Sequence, residues 1–171
     1  MLKADVVYNI DNTIVKDTIS ISRDSYPEGW ACSNPEEYYN QMLTKRHNVH
    51  IMLTDNEKNV GFLFAIPHND AVVELKDHDP LMKDDSGAYY IENVAVLPAY
   101  QKKGALGKML AVLKEELRKR DIFRISLHAR VHNGLSRNIQ QNMKIIEIRR
   151  INAWRFYAYE EPTDYIVAEW P

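Results

Sequence analysis

Lys102, Lys103 and Lys108 surround two glycines, Gly104 and Gly107, with no acid among them. An apolar stretch with alternating Val94 and Val96 comes before them, and Pro98 ends it. Met109, Leu110, Leu113 and Leu117 follow at helical spacing. Glycine tolerates backbone angles that a Cβ forbids, so several amides of such a loop can point the same way. A helix starting there adds free N–H groups and the positive end of its dipole. These parts make a seat for a pyrophosphate. The plainer reading is a strand, a solvated basic turn and a helix, and glycine and lysine alone leave it open.

The longer string is more specific. Val96-Leu97-Pro98-Ala99-Tyr100, then Gln101-Lys102-Lys103-Gly104-Ala105-Leu106-Gly107-Lys108, resembles motif A of the GNAT acetyltransferase superfamily. That motif is a strand, V-x-P-x-Y, Q/R-x-x-G-x-G/A and a helix. Leu106 stands where the second Gly or Ala belongs, and Gly107 comes one place later, which reads as a one-residue insertion in the loop. The resemblance implies an α/β fold with a central mixed sheet flanked by helices. It also implies acetyl-coenzyme A as cosubstrate, with its pyrophosphate over Gln101 to Lys108 and no metal.

Acetyl transfer to an amine needs donors where charge develops on the thioester oxygen. It also needs a base for the amine and help for the leaving thiolate. By resemblance, the amides of the strand Val94-Ala95-Val96 meet the first need. Asn133 and Ser136 match the N-x-x-A/S start of a later family helix, where the pantetheine arm passes. Asn133 also reads simply as a helix cap. Gln140 stands where many relatives carry an acidic tyrosine. Tyr157 or Tyr159 could substitute, although packing suits those rings better. Two residues could be the base, and His128 is ranked narrowly above Glu92. Histidine titrates near neutrality, and a glutamate occupies the place of His128 in ribosomal-protein N-terminal acetyltransferases. Alternation puts Glu92 on the same face as Val94 and Val96. Plainer readings are a satisfied strand histidine and a paired strand carboxylate.

The elements that must position these groups follow in order. Residues 4–10 alternate as a strand; residues 11–26 are ambiguous between an Asp11-capped helix and extended chain; Tyr26-Pro27-Glu28-Gly29 breaks what precedes. A helix is expected from Pro35 to about Leu43, and a hairpin from Val49–Thr54 and Val60–Ile66. Residues 67–87 intervene before the central strand, as an acidic insertion relative to the family. A solvated loop is the plainer reading; an acidic lip for a cationic substrate is the functional one. His78-Asp79 is weak evidence for a metal. Ile122–Ala129 reads as a strand, Asn133–Met143 as a helix, Ile145–Arg150 as a strand, 153–161 as an aromatic connection and Tyr165–Trp170 as the last strand.

The chain of 171 residues fits a single domain, 1–171, with a real core. Lys and Arg number 22 against 24 Asp and Glu, a net charge of −2, which argues against broad attraction to nucleic acid. The single cysteine, Cys32, excludes an internal disulfide and reads as a packed thiol. No apolar run approaches a membrane span and no signal peptide opens the chain, so a cytoplasmic protein is expected. The expected activity is direct N-acetyl transfer from acetyl-coenzyme A to a primary amine on a small molecule or protein. The alternatives are a catalytically inactive coenzyme A-binding module and a nucleic-acid modifier. The late aromatic segment could supply a homodimer interface.

Overall fold

The computed structural model describes residues 1–27, 30, 32–156 and 159–171. Glu28, Gly29 and Tyr157, and the side chain of Tyr159, lie outside the described residues. Seven strands form one sheet in the order β1-β2-β3-β4-β5-β7-β6. These are β1 (Leu2–Val6), β2 (Val49–Asp55), β3 (Lys58–Pro67), β4 (Ala88–Val96), β5 (Arg124–Arg130), β6 (Lys144–Phe156) and β7 (Tyr159–Glu169). All neighbours are antiparallel except β4 and β5. The helices are α1 (Asn12–Ser25), α2 (Pro35–Thr44), α3 (His68–Leu75), α4 (Ala105–Arg118) and α5 (Leu135–Asn142).

Alternation along β3 divides the core. Leu63 and Ala65 face α4, where Met109, Leu113 and Leu117 are wholly buried at four-residue spacing. Phe62, Phe64 and Ile66 face the other side, against Val15, Ile21, Tyr39 and Met42 from α1 and α2. Burying each such large side chain contributes roughly 1.5–3 kcal/mol. On α4, Glu116 pairs with Arg120 at 2.9 Å and with Lys119 at 3.1 Å.

Several elements differ from their sequence reading. The first strand is Leu2–Val6: its pairing ends at Val6↔Ile51, the Val7 amide still donates to the His50 carbonyl at 2.8 Å, and Ile10 lies beyond the start of β2. Residues 12–25 are helical: the Asp11 carboxylate accepts from the Ile14 amide at 2.9 Å, and the β-branched Val15, Thr18 and Ile21 form the buried face. The segment 67–87 is not a plain solvated loop. It holds α3, and His68, Ala71, Leu75, Asp79 and Met82 are buried. The aromatic connection is instead the paired end of β6 and the start of β7, with Trp154 turned inward and buried. The helix expected from Asn133 starts two residues later, at Leu135, behind Gly134 at φ 78°.

Candidate active site

β4 and β5 pair over three rungs only, from Ala88↔Arg124 to Tyr90↔Ser126. Beyond Tyr90 the ladder ends, and β4 keeps only β3 as partner. Two cavities open on the splayed part of β4 and share Tyr26, Trp30, Val94, Asn133 and Leu135 in their walls.

The larger is a groove of about 930 Å³ lined by Val94, Ala95, Val96 and the loop before α4. The loop turns through Lys102 at φ 60° and Gly104 at φ 77°. No side chain caps α4, so its first amides are open to a ligand. A Cβ on Gly104 or Gly107 would meet nothing within 4 Å, so both face open space. α4 starts at Ala105, and Leu106 and Gly107 belong to its first turn.

The backbone of Val94 and Val96 is turned away from β3. The Val94 carbonyl accepts from the Tyr26 hydroxyl at 3.1 Å, and the Val96 carbonyl accepts from Gln101 Nε2 at 2.9 Å. The Leu97 amide instead donates to Val60 on β3. N–H and C=O of one strand residue point the same way. The amides of Val94 and Val96 therefore point into the splay.

The smaller cavity, about 140 Å³, lies on the other side of Val94, among Tyr26, Trp30, Tyr38, Tyr90, Glu92 and Trp154. Glu92 reaches it through a β-bulge. β3 and β4 pair Phe64 with Asn93 but Ala65 with Ile91, which leaves Glu92 unpaired. The bulge inverts the alternation. Ile91 and, beyond it, Val94 and Val96 pack with the α4 core, whereas Glu92 accepts from Tyr38 of α2 at 2.9 Å. Glu92 is therefore not on the face of Val94 and Val96. Burial pushes its carboxyl up to about 7, against the hydrogen bond from Tyr38.

His128 also lines this cavity, with its side chain only 3% exposed. Nδ1 lies 2.9 Å from the Tyr90 hydroxyl and Nε2 lies 2.9 Å from Asp79 Oδ2. The ring stacks on Trp154 at 4.1 Å between centroids and 13° between planes. Burial lowers its pKa, although Asp79 acts to raise it. Burial would raise the pKa of Asp79, but hydrogen bonds from His128 and Arg149 outweigh it and hold the carboxyl well below the usual range. Asp79 thus belongs to the interior, not to an acidic lip.

The other expected residues divide. Gln101, Lys102, Ala105, Leu106 and Asn133 line the groove, while Lys103 and Lys108 are exposed outside its lining. The Asn133 side chain accepts from the Leu135 amide at 2.9 Å. Ser136 does not face the groove: it is buried, donates to Asp164 and accepts from Gln140 at 2.8 Å. Gln140, an exposed residue, is thereby bonded to Ser136. Sequence reasoning missed Tyr26, Trp30 and Tyr38, which carry no spacing signal because each reaches the site from a different segment.

The profile of the Acetyltransferase (GNAT) family matches residues 15–139. The fold is similar to that of the ribosomal-protein-S18-alanine N-acetyltransferase from Escherichia coli, at 18% identity and TM-score 0.67 over 100% of this chain and 94% of that one. It is similar to an aminoglycoside 6'-N-acetyltransferase complexed with coenzyme A, at 12% identity and TM-score 0.70 over 98% and 97%. It is also similar to a chain of the NatC complex bound to Gag peptide and coenzyme A, at 14% identity and TM-score 0.70 over 99% of each. A sequence search of curated proteins gave no match. With the family profile spanning most of its length, on a splayed mixed sheet with an open loop before α4, the chain belongs to the GNAT acetyltransferase family.

Proposed function

We propose that the protein transfers an acetyl group from acetyl-coenzyme A directly to a primary amine, with Glu92 as the base. The observation that carries this reading is the meeting of the two cavities at Val94, with Glu92 two residues away on the bulge. In this reading the pyrophosphate lies against the Lys102–Gly107 backbone and the first turn of α4. The thioester then lies along the splayed strand, where the Val94 and Val96 amides face the developing oxyanion. The acceptor amine enters the smaller cavity. Solved relatives named for amine substrates, an aminoglycoside and spermidine among them, support an amine acceptor.

A carboxyl with a pKa of about 7 is half ionised near neutrality, so it can take a proton from an ammonium and release it to solvent. The amine nitrogen attacks the carbonyl carbon, the C–S bond breaks and the thiolate leaves. A thiol with a pKa of about 8.5 leaves readily without a positioned acid, which suits the commitment of Gln140 to Ser136. His128 has both ring nitrogens engaged, so the ranking of the two candidate bases is reversed. A screen of primary amines with acetyl-coenzyme A and thiol detection tests the reading. Release of free thiol is expected with at least one amine. Coenzyme A binding without turnover for any amine would support the inactive module instead.

A further inference from the structure

The buried chain behind the small cavity has a fixed direction. Asp79, ionised, can only accept, and it accepts from Arg149 at 2.7 Å and from His128 Nε2 at 2.9 Å. Nε2 therefore carries a proton. The imidazole is buried and neutral, so Nδ1 is left as an acceptor and the Tyr90 hydroxyl must donate to it, at 2.9 Å. Stacking on Trp154 and the neighbouring Tyr165 ring at 5.0 Å hold the imidazole plane. Among the described residues, no other hydrogen bond engages the Tyr90 hydroxyl, and Tyr90 lines the cavity.

We infer that Asp79, acting through His128, turns the Tyr90 hydroxyl so that its lone pairs face the cavity and accept a hydrogen bond from the acceptor's ammonium group. The inference rests on the proposed function and adds a second recognition element beside Glu92. Tyr90 touches the amine; Asp79 and His128 are positioning residues. The arrangement gives the segment 67–87 a use, because Asp79 is buried within it. A cavity of about 140 Å³ is close in size to one of about 150 Å³ that holds a single benzene ring. That selects a short aminoalkyl end over a bulky amine, and n-propylamine is a fitting probe.

Nitrogen-15 NMR of histidine-labelled protein reads the direction of the chain without turnover. The expected His128 tautomer carries its proton on Nε2, and a proton on Nδ1 alone overturns the inference. Calorimetry with n-propylamine on the coenzyme A-bound protein gives the second readout. Tyr90→Phe should weaken n-propylamine about tenfold or more, as expected for a lost hydrogen bond to a charged group, with coenzyme A affinity unchanged. Asp79→Leu removes the oxygen that accepts from Nε2–H, so it should release the tautomer and weaken n-propylamine, and adding it to Tyr90→Phe should cost little more. Unchanged n-propylamine affinity in Tyr90→Phe overturns the inference. If Asp79→Leu does not fold, the wild-type tautomer and Tyr90→Phe still decide. Absence of acetyl transfer to every amine defeats the proposed function, while the tautomer separately decides the direction of the chain.

Discussion

The groove and the small cavity meet at Val94 but are built differently. One wall of the groove is largely backbone from a contiguous stretch: the amides of β4, a turn at Lys102 and Gly104, and the uncapped start of α4; residues 25–27, 132–135 and 160–162 make the facing walls. The cavity is side chains brought from α1, α2, α3, β4, β5 and β6. A surface of amides is insensitive to most substitutions and sensitive to backbone angle. A surface of converging side chains is the reverse. The layers beneath repeat the contrast. The α4 side of the sheet is an apolar cluster, whereas the α1–α2 side holds His50, and Asp79 and His128 lie under the cavity.

The largest effect is expected from one cavity side chain. Glu92→Gln keeps the shape and can still bond Tyr38, but it cannot take a proton. Removing a positioned base typically costs roughly 10²–10⁴ in rate, so kcat should fall by that range while coenzyme A affinity is unchanged. Steady-state kinetics with a good amine, paired with calorimetry, check both halves. A near-normal kcat would return the proton to water.

On the other side of the sheet from α4, His50 gives a stability test. It is buried, its Nε2 lies 3.2 Å from Thr18 Oγ1, and its Nδ1 has no partner among the described residues. Burial lowers its pKa from 6.5 to about 4. The folded state therefore binds fewer protons than the unfolded state between these values. This contribution is fully present above about pH 6.5 and is lost as pH falls towards about 4, a total of about 3 kcal/mol. In His50→Leu the acid-induced fall in the urea midpoint should be shallower than in the wild type across that window. Parallel falls in both proteins would assign the acid sensitivity elsewhere.

The same contrast explains what could be read in advance. The loop and α4 were legible because glycine, proline and four-residue apolar spacing act locally. The bulge at Glu92 was not, because it arises where β3 and β4 fall out of step, and strict alternation put Glu92 on the wrong face. Residues 67–87 read as a loop because acids dominate them, while Ala71, Leu75 and Met82 pack inward at a spacing too short to stand out. Trp154 read as part of a connection because its partner, Glu161, stands on a separate strand, β7. His128, ranked first as the base, does line the cavity, but its distant partners Asp79 and Tyr90 engage both ring nitrogens.

A backbone test comes next. Gly104 sits at φ 77°, where a Cβ costs about 1–2 kcal/mol, more for a branched one. Its Cβ position is open space, so Gly104→Val fails through backbone angle and through a side chain projecting into the groove. Coenzyme A affinity should fall about tenfold or more, with Gly104→Ala milder. Lys103→Ala, outside the groove lining, should change affinity less than Gly104→Val. Equal losses in calorimetry would mean that charge, not backbone, holds the ligand.

The smallest effect separates the two tyrosine hydroxyls of the cavity wall. Tyr38 donates to Glu92, and this bond opposes the upward push of burial on the carboxyl. Removing it in Tyr38→Phe leaves burial less opposed, so the Glu92 pKa should rise above about 7. A base works only when ionised. The acidic limb of kcat against pH should therefore move to higher pH, by less than about one unit for one neutral hydrogen bond, and the plateau should survive because the carboxylate remains. Tyr90→Phe should leave that limb nearly in place and raise the acceptor KM instead. The two phenylalanine variants thus remove one hydroxyl each from the same wall and are distinguished by which constant moves. A limb that shifts downward in Tyr38→Phe would mean that Tyr38 stabilises the protonated carboxyl, and Glu92 would then enter the reaction as an acid.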